Sequence, residues 1–132
     1  MQKANQPKVT GEEAILKTIL LVEDDSTIGE ALTLIISQET PYTGLLASNG
    51  IEALGLIQAI EPDLFILDYQ LPLMNGIDLY DQLHAIEALK DIPAIMISAQ
   101  LPQREIDQRH IIGVSKPFDI DELLQLIESN LV

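Results

Sequence analysis

The 132-residue chain has the length of one ordinary domain, and 47% apolar against 21% charged residues is typical of a packed core rather than of a disordered chain. Seven Lys and Arg residues against 21 Asp and Glu residues give a net charge of −14, the wrong sign for binding a nucleic-acid backbone directly. The absence of cysteine excludes disulfides, thiolate zinc sites and a cysteine nucleophile, and no apolar run is long enough to cross a bilayer. We therefore expect a cytoplasmic protein that neither inserts into a membrane nor contacts nucleic acid directly.

Residues 1–17 differ from the rest of the chain because they lack a sustained apolar period and contain Pro7 and Gly11. We interpret them as an N-terminal tail in which Glu12 to Lys17 could form a short helical turn. Residues 18–132 are then one domain.

From Thr18 onward, short apolar runs alternate with amphipathic segments. Such runs are expected of strands covered on both faces in a parallel sheet. The five predicted strands cover residues 19–22, 45–47, 64–67, 94–97 and 111–114. Apolar residues three and four apart predict helices over 28–36, 53–60, 77–86, 102–109 and 123–131. Asp119, three residues before Glu122, is the predicted N-cap of the last helix.

Strand and helix alternate five times, which predicts right-handed crossovers and a doubly wound α/β fold with a five-stranded parallel sheet and five helices. Ligands of such sheets bind beyond the C-terminal ends of the strands, so we expect the functional residues there.

Polar residues follow four of the predicted strands. They are Glu23, Asp24 and Asp25 after the first strand, Asp68 after the third, Ser98 after the fourth and Lys116 after the fifth. Carboxylates gathered at one edge repel one another unless a cation lies between them, and Mg²⁺ prefers a few carboxylates together with water. A lone carboxylate beside Mg²⁺, an ammonium and a hydroxyl is suited to phosphoryl transfer, with Asp68 as the nucleophile and Lys116 and Ser98 each meeting a phosphoryl oxygen.

Each of these residues also has an ordinary structural interpretation. Asp25 is better explained as a helix N-cap or an exposed side chain, Lys116 taken alone as a surface lysine, and Ser98 taken alone as a turn residue. Their joint placement after four separate strands favours a site.

Four segments resemble the receiver domains of bacterial response regulators, over essentially Thr18 to Val132. They are Ile-Leu-Leu-Val-Glu-Asp-Asp at 19–25, Leu-Asp-Tyr-Gln-Leu-Pro-Leu-Met-Asn-Gly at 67–76, Ile-Ser-Ala at 97–99 and Ser-Lys-Pro-Phe at 115–118. The resemblance implies a flavodoxin-like (β/α)5 receiver fold of the stand-alone, single-domain type.

The resemblance also implies roles for individual residues. Asp68 would be the phosphoacceptor, Asp24 the direct Mg²⁺ ligand, Glu23 its companion acting through water, and the backbone carbonyl of Gln70 a further ligand. In the same way, Ser98 would bond a phosphoryl oxygen and Lys116 would be the conserved-type lysine of the family, followed by a cis bond to Pro117. Pro72 and Gly76 match the loop after the acceptor, and Gly76 would suit the turn into the third helix.

The chemistry implied by the resemblance is transfer of a phosphoryl group to Asp68 from a sensor histidine kinase or phosphotransfer protein, followed by hydrolysis. We expect that the chain is not a conventional enzyme. We expect its signal to be passed on through binding to an unknown downstream protein or through a homodimer. An intermediate phosphorelay carrier and an unphosphorylated interaction scaffold are the alternatives. An aspartyl-nucleophile phosphatase is disfavoured, because it would want a second aspartate where Gln70 stands.

The chain departs from the family pattern in two places. Ser98 and Lys116 are only 18 residues apart, which predicts a truncated fourth helix or following loop, and Gly113 stands where the family has a Tyr or Phe. Without that aromatic ring the usual coupled switch cannot operate, so either the output is read elsewhere or the domain mainly relays phosphate. Gln70 and Gln100 occupy positions that modulate dephosphorylation in the family, or are simply exposed.

Overall fold

The computed structural model describes residues 17–131, in which five strands alternate with five α-helices. The strands are β1 (Thr18–Val22), β2 (Thr43–Ala47), β3 (Leu64–Asp68), β4 (Ala94–Ser98) and β5 (Ile112–Ser115). The helices are α1 (Ser26–Glu39), α2 (Gly50–Leu56), α3 (Gly76–His84), α4 (Gln103–Arg109) and α5 (Ile120–Leu131). A 3₁₀ helix (Glu87–Leu89) follows α3. The predicted fold class is confirmed.

All strand pairs in the sheet are parallel, and the strand order is β2-β1-β3-β4-β5. β3 is therefore central, with Val22 of β1 paired to Leu67 and Ile97 of β4 paired to Asp68. This register brings the C-terminal ends of β1, β3 and β4 to one edge of the sheet.

The core has two apolar layers, because successive side chains of a strand point to opposite faces. Phe65 and Leu67 of β3 belong to the layer under α2, α3 and α4, whereas Leu64 and Ile66 belong to the layer under α1 and α5. Every residue of β3 is buried, so the apolar run that predicted this strand reflects cover on both faces.

Several predicted boundaries are wrong by a few residues. β2 begins earlier than predicted, at Thr43, and α2 ends at Leu56 rather than Ile60, because the chain leaves the helix through tight turns while Ile57 still packs on the core. β5 is shifted by one residue because the Ile111 N–H bonds the Ile106 carbonyl and ends α4.

The tail assigned to residues 1–17, with its candidate turn at Glu12 to Lys17, lies outside the described residues except for Lys17. Within residues 17–131, no helix is long and apolar enough to span a membrane.

Candidate functional site

The sheet brings the predicted site residues to the same edge. Asp68 is the last residue of the central strand β3, Ser98 is the last residue of β4, and Glu23 and Lys116 directly follow β1 and β5. Asp68, Glu23 and Ser98 are 6%, 5% and 1% exposed, although polar residues are usually at the surface. Their burial indicates a site whose groups need partners.

Lys116 provides the positive charge for this site. Its Nζ lies 3.0 Å from Oδ2 of Asp68 and 3.6 Å from Oε1 of Glu23. The peptide bond to Pro117 is cis, as predicted. Lys116 is therefore an ion-pair partner of two buried carboxylates and not an unpaired surface lysine.

Three carboxylates converge beside this lysine. Oxygen atoms of Glu23, Asp24 and Asp68 all lie within 4.8 Å of one another, with Asp24 exposed to solvent. Asp25 is outside the cluster, because its Oδ1 accepts the N–H groups of Thr27 and Ile28 and caps α1. A cluster of hard oxygen donors with an open side fits Mg²⁺.

The electrostatics of the site follow from burial and crowding. Burial, together with the neighbouring Asp68 charge, raises the pKa of Glu23 to about 7 against the opposing effects of the Asp25 N–H and Lys116. Burial lowers the pKa of Lys116, but its hydrogen bond to Asp68 and the charges of Asp68 and Glu23 outweigh it, so that this pKa is raised. Near neutral pH, Lys116 therefore stays charged, whereas the Glu23 carboxyl group is only partly ionised.

The backbone after Asp68 is folded tightly around its carboxylate. The Gln70 N–H donates to Asp68 Oδ1 at 3.0 Å, which places the Gln70 backbone next to the carboxylate. Gly76 approaches so closely that a Cβ there would lie 2.6 Å from the Asp68 carbonyl oxygen. Its φ is not positive, so close approach and not an unusual turn requires glycine at this position.

Ser98 is held by the loop that follows it. Its hydroxyl donates to the Gln100 carbonyl and accepts from the Gln100 N–H, both at 3.1 Å. A movement of this hydroxyl toward Asp68 would break both hydrogen bonds. The residue that follows Gln100 is Leu101.

Aliphatic side chains occupy the space next to Gly113, where the resemblance leads one to expect an aromatic ring. A Cβ on Gly113 would lie 2.7 Å from Cδ1 of Ile106 and 3.0 Å from Cδ1 of Leu101. The sequence shows that the ring is absent, but it does not show that the side chains of Leu101 and Ile106 lie in its place.

The short helix α4 is fastened to α3 by polar contacts that the sequence did not predict. Arg109 binds Asp81 through two nitrogens, at 2.7 and 2.9 Å, and the Tyr80 hydroxyl donates to the Arg109 carbonyl at 3.2 Å. An arginine and an aspartate 28 residues apart give no local signal of pairing. α4 has seven residues, in agreement with the predicted truncation.

The two histidines lie away from Asp68. The ring nitrogens of His84 lie 2.9 and 2.7 Å from the carbonyl oxygens of Tyr80 and Ile92, and its ring stacks on Tyr80. His110 ends α4 in the left-handed conformation. Both histidines therefore have structural positions.

Residues 19–128 match the family model described as the response regulator receiver domain. The chain is 34% identical over 118 residues to the probable transcriptional regulator ycf29 of Pyropia yezoensis, a match that covers 86% of the chain and 52% of that relative. The chain spans about half the length of the curated relatives it matches.

Two solved structures illustrate the similarity in fold. The non-phosphorylated HemR receiver domain from Leptospira biflexa is 33% identical with a TM-score of 0.78, over 87% of this chain and 94% of that one. The response regulator protein TrrA from Thermotoga maritima, in complex with Mg(2+)-BeF, is 29% identical with a TM-score of 0.76, over 88% of this chain and 100% of that one.

Proposed function

The chain belongs to the family of response regulator receiver domains, and from this premise we propose that it accepts a phosphoryl group on Asp68 from a phosphohistidine donor. The observation that carries the proposal is the placement of Asp68, nearly buried at the end of the central strand, with Lys116 Nζ 3.0 Å from its carboxylate. The proposed partners are a sensor histidine kinase or a phosphotransfer protein, and the proposed location is the cytoplasm.

The proposed transfer exchanges one bond for another. An oxygen of Asp68 forms the new O–P bond as the N–P bond of phosphohistidine breaks, and the imidazole nitrogen keeps the electron pair and takes up a proton. Lys116 and the Ser98 hydroxyl would each bind a phosphoryl oxygen. Hydrolysis of the acyl phosphate then restores the carboxylate, so the chain is a transient carrier of phosphate and not a conventional enzyme.

Glu23, Asp24, Asp68 and the Gln70 carbonyl would hold Mg²⁺ in this proposal. The carboxylate cluster supports this, as does the complex of TrrA with Mg(2+)-BeF. When bound, the ion would neutralise charge on the carboxylates and on the phosphoryl oxygens.

The proposed output is a changed contact with another protein, or between two copies of the chain. Several relatives are DNA-binding response regulators of about twice this length, such as MtrA of Mycobacterium tuberculosis. An intermediate carrier in a phosphorelay is the second candidate, and Gly113 favours it because the position has no side chain to rotate.

The test is incubation with Mg²⁺ and acetyl phosphate, followed by intact mass measurement. We expect one labile phosphoryl adduct on the wild-type chain and none on Asp68→Asn. Asp63→Asn is the matched control, because Asp63 lies before β3, at the opposite edge of the sheet, where it accepts the Thr18 N–H. Equal labelling of wild type and Asp68→Asn would contradict the proposal.

A further inference from the structure

The loop between β3 and α3 contains a strained turn at Leu73. Its φ is 75°, and the Met74 N–H bonds the Pro72 carbonyl at 2.9 Å, which closes a three-residue turn. This positive-φ form of the γ-turn is rare, and it is unfavourable for a residue with a bulky side chain. Glycine would adopt the same conformation without that cost.

Packing inside the described part of the chain does not explain leucine at this position. The Leu73 side chain is 77% exposed, the largest fraction among the exposed large apolar side chains, and it belongs to neither core layer. A strained residue that gains no internal contact is a reason to look for an external one.

A second exposed apolar side chain lies on the same edge of the molecule. Ile51, in the first turn of α2, is 57% exposed. It follows Gly50, which packs so closely on Met74 that a Cβ there would lie 2.6 Å from Met74 Cγ. Ile51 and Leu73 are thus the chain neighbours of Gly50 and Met74, which contact each other. We call Ile51 and Leu73 the apolar rim, and Asp68 lies in the same edge of the sheet.

The position of the rim indicates what covers it. Asp68 is only 6% exposed, so a macromolecular donor reaches it only by projecting a side chain into the site while its own surface rests on the surrounding edge. Carboxylates line this edge at the exposed residues Asp24, Asp25 and Glu52. A second copy of the chain would bring a further net charge of −14 to this acidic edge, whereas a surface with apolar and Lys or Arg side chains complements it.

We propose that the apolar rim is the docking contact for the protein that donates the phosphoryl group, with Leu73 as its main anchor. This inference rests on the proposed phosphoryl transfer to Asp68. The donor surface it requires combines an apolar patch with basic side chains around a phosphohistidine.

The test compares two phosphoryl donors on Leu73→Gly. Acetyl phosphate needs no docking surface, whereas a purified histidine kinase, autophosphorylated with ATP and able to phosphorylate the wild-type chain, does. Loss of the leucine contact should lower the rate constant for transfer from the kinase by about tenfold. Labelling by acetyl phosphate should persist, and the thermal midpoint should hold or rise because the turn is no longer strained.

Two further variants sharpen the test. Ile51→Ala should lower transfer from the kinase in the same direction as Leu73→Gly, and to a smaller extent. Ile86→Ala is the matched control, since Ile86 is also exposed but follows α3 at the opposite edge of the sheet, and it should change neither donor's rate.

Transfer from the kinase to Leu73→Gly at the wild-type rate would overturn the docking proposal. An equal loss with both donors would overturn it too, because Leu73 would then act on the acceptor and not on docking. A wild-type chain that neither donor labels removes the proposed function and this inference with it.

Discussion

The pocket around Asp68 and the region between α4 and β5 are built on different principles. In the pocket, Lys116 lies between the buried carboxylates of Asp68 and Glu23, and charge dominates. Beside Gly113, the ends of the Leu101 and Ile106 side chains lie where a Cβ would extend, and apolar contact dominates. The pocket contains the residues that the resemblance to the family implies, whereas the α4–β5 region lacks the implied aromatic ring. Under the proposed function, the pocket that would receive phosphate and the region that would report it are therefore separable.

The link between the two regions is short. The Ser98 hydroxyl exchanges two hydrogen bonds with the Gln100 backbone, and the next residue is Leu101, whose side chain lies beside Gly113. A movement of the Ser98 hydroxyl would therefore reach the Leu101 side chain only three residues later. Leu101 and Ile106 lie beside Gly113, where the resemblance implies an aromatic ring. Substitutions that affect only one region test whether the two are independent.

The largest effect is expected from Lys116→Met. The substitution removes the only cation paired with Asp68 and Glu23 among the described residues. Loss of one charge-stabilising donor lowers the rate of such reactions by roughly a hundredfold. The measurement is the rate of labelling by acetyl phosphate at fixed Mg²⁺.

The control for this substitution is Lys90→Met, which removes an exposed lysine that forms an ion pair with Glu87. It should label at the wild-type rate. If Lys116→Met also labels at that rate, charge does not govern the pocket.

The next largest effect is a loss of stability in the α4–β5 region, at a substitution of glycine by alanine that would usually not destabilise a strand. Gly113→Ala places a methyl group 2.7 Å from Cδ1 of Ile106, the far end of a side chain that can shift, so the loss of stability should lie at the lower end of the overpacking range, about 1 kcal/mol. Replacing glycine by alanine in a strand would otherwise be neutral or favourable. Urea unfolding measures the change, and labelling of Asp68 by acetyl phosphate should persist.

Ile106→Val tests the cause, because it deletes the Cδ1 atom. The double variant should lose less stability than the sum of the two single variants. Gly55→Ala is the matched control, since nothing lies within 4 Å of its added Cβ in α2, and it should stabilise the protein by about 0.5–1 kcal/mol. If the stability losses of the two single variants simply add in the double variant, α4 moves to admit the methyl group and the space beside Gly113 is not tightly filled.

Prediction from sequence was most successful where local patterns are strong. Buried parallel strands are continuous apolar runs, so the residues that follow them could be placed at one edge, and Glu23, Asp68, Ser98 and Lys116 do meet there. The C-terminal end of α4 was predicted correctly at Arg109, although the next residue, His110, takes the left-handed position that glycine usually fills.

Contacts between distant elements could not be predicted in this way. The pairing of Arg109 with Asp81 and the filling of the Gly113 space depend on how α4 rests against α3 and β5. The strain at Leu73 was hidden because leucine carries no sequence signal for positive φ. Periodicity specifies which face of an element is buried and does not specify its partner.

A smaller effect is expected on the pH dependence of stability, and it arises from Glu23 in the pocket. The pKa of Glu23 is about 7, above its ordinary value of 4.5, so the folded state binds more protons than the unfolded state between these values. This contribution therefore favours folding in acid and is lost as the pH rises from about 4.5 to 7. With divalent cations chelated, unfolding midpoints in urea across this range should show a slope that Glu23→Gln removes.

Glu39→Gln serves as the control, because Glu39 is exposed at the end of α1, away from the pocket. Its pH dependence should match that of the wild type. A wild-type slope retained in Glu23→Gln would assign the pH dependence to another group.

The smallest expected effect is at the ion pair that fastens α4 to α3. The hydrogen bond from Arg109 lowers the pKa of Asp81, so the pair favours folding above the carboxyl's ordinary range and this contribution is lost in acid. Asp81 is half exposed, which limits the stability lost in Arg109→Gln to about 1 kcal/mol. Hydrogen exchange in α4 should nevertheless increase, while labelling of Asp68 by acetyl phosphate stays at the wild-type rate. A labelling rate that fell together with α4 protection would join the two regions into one unit.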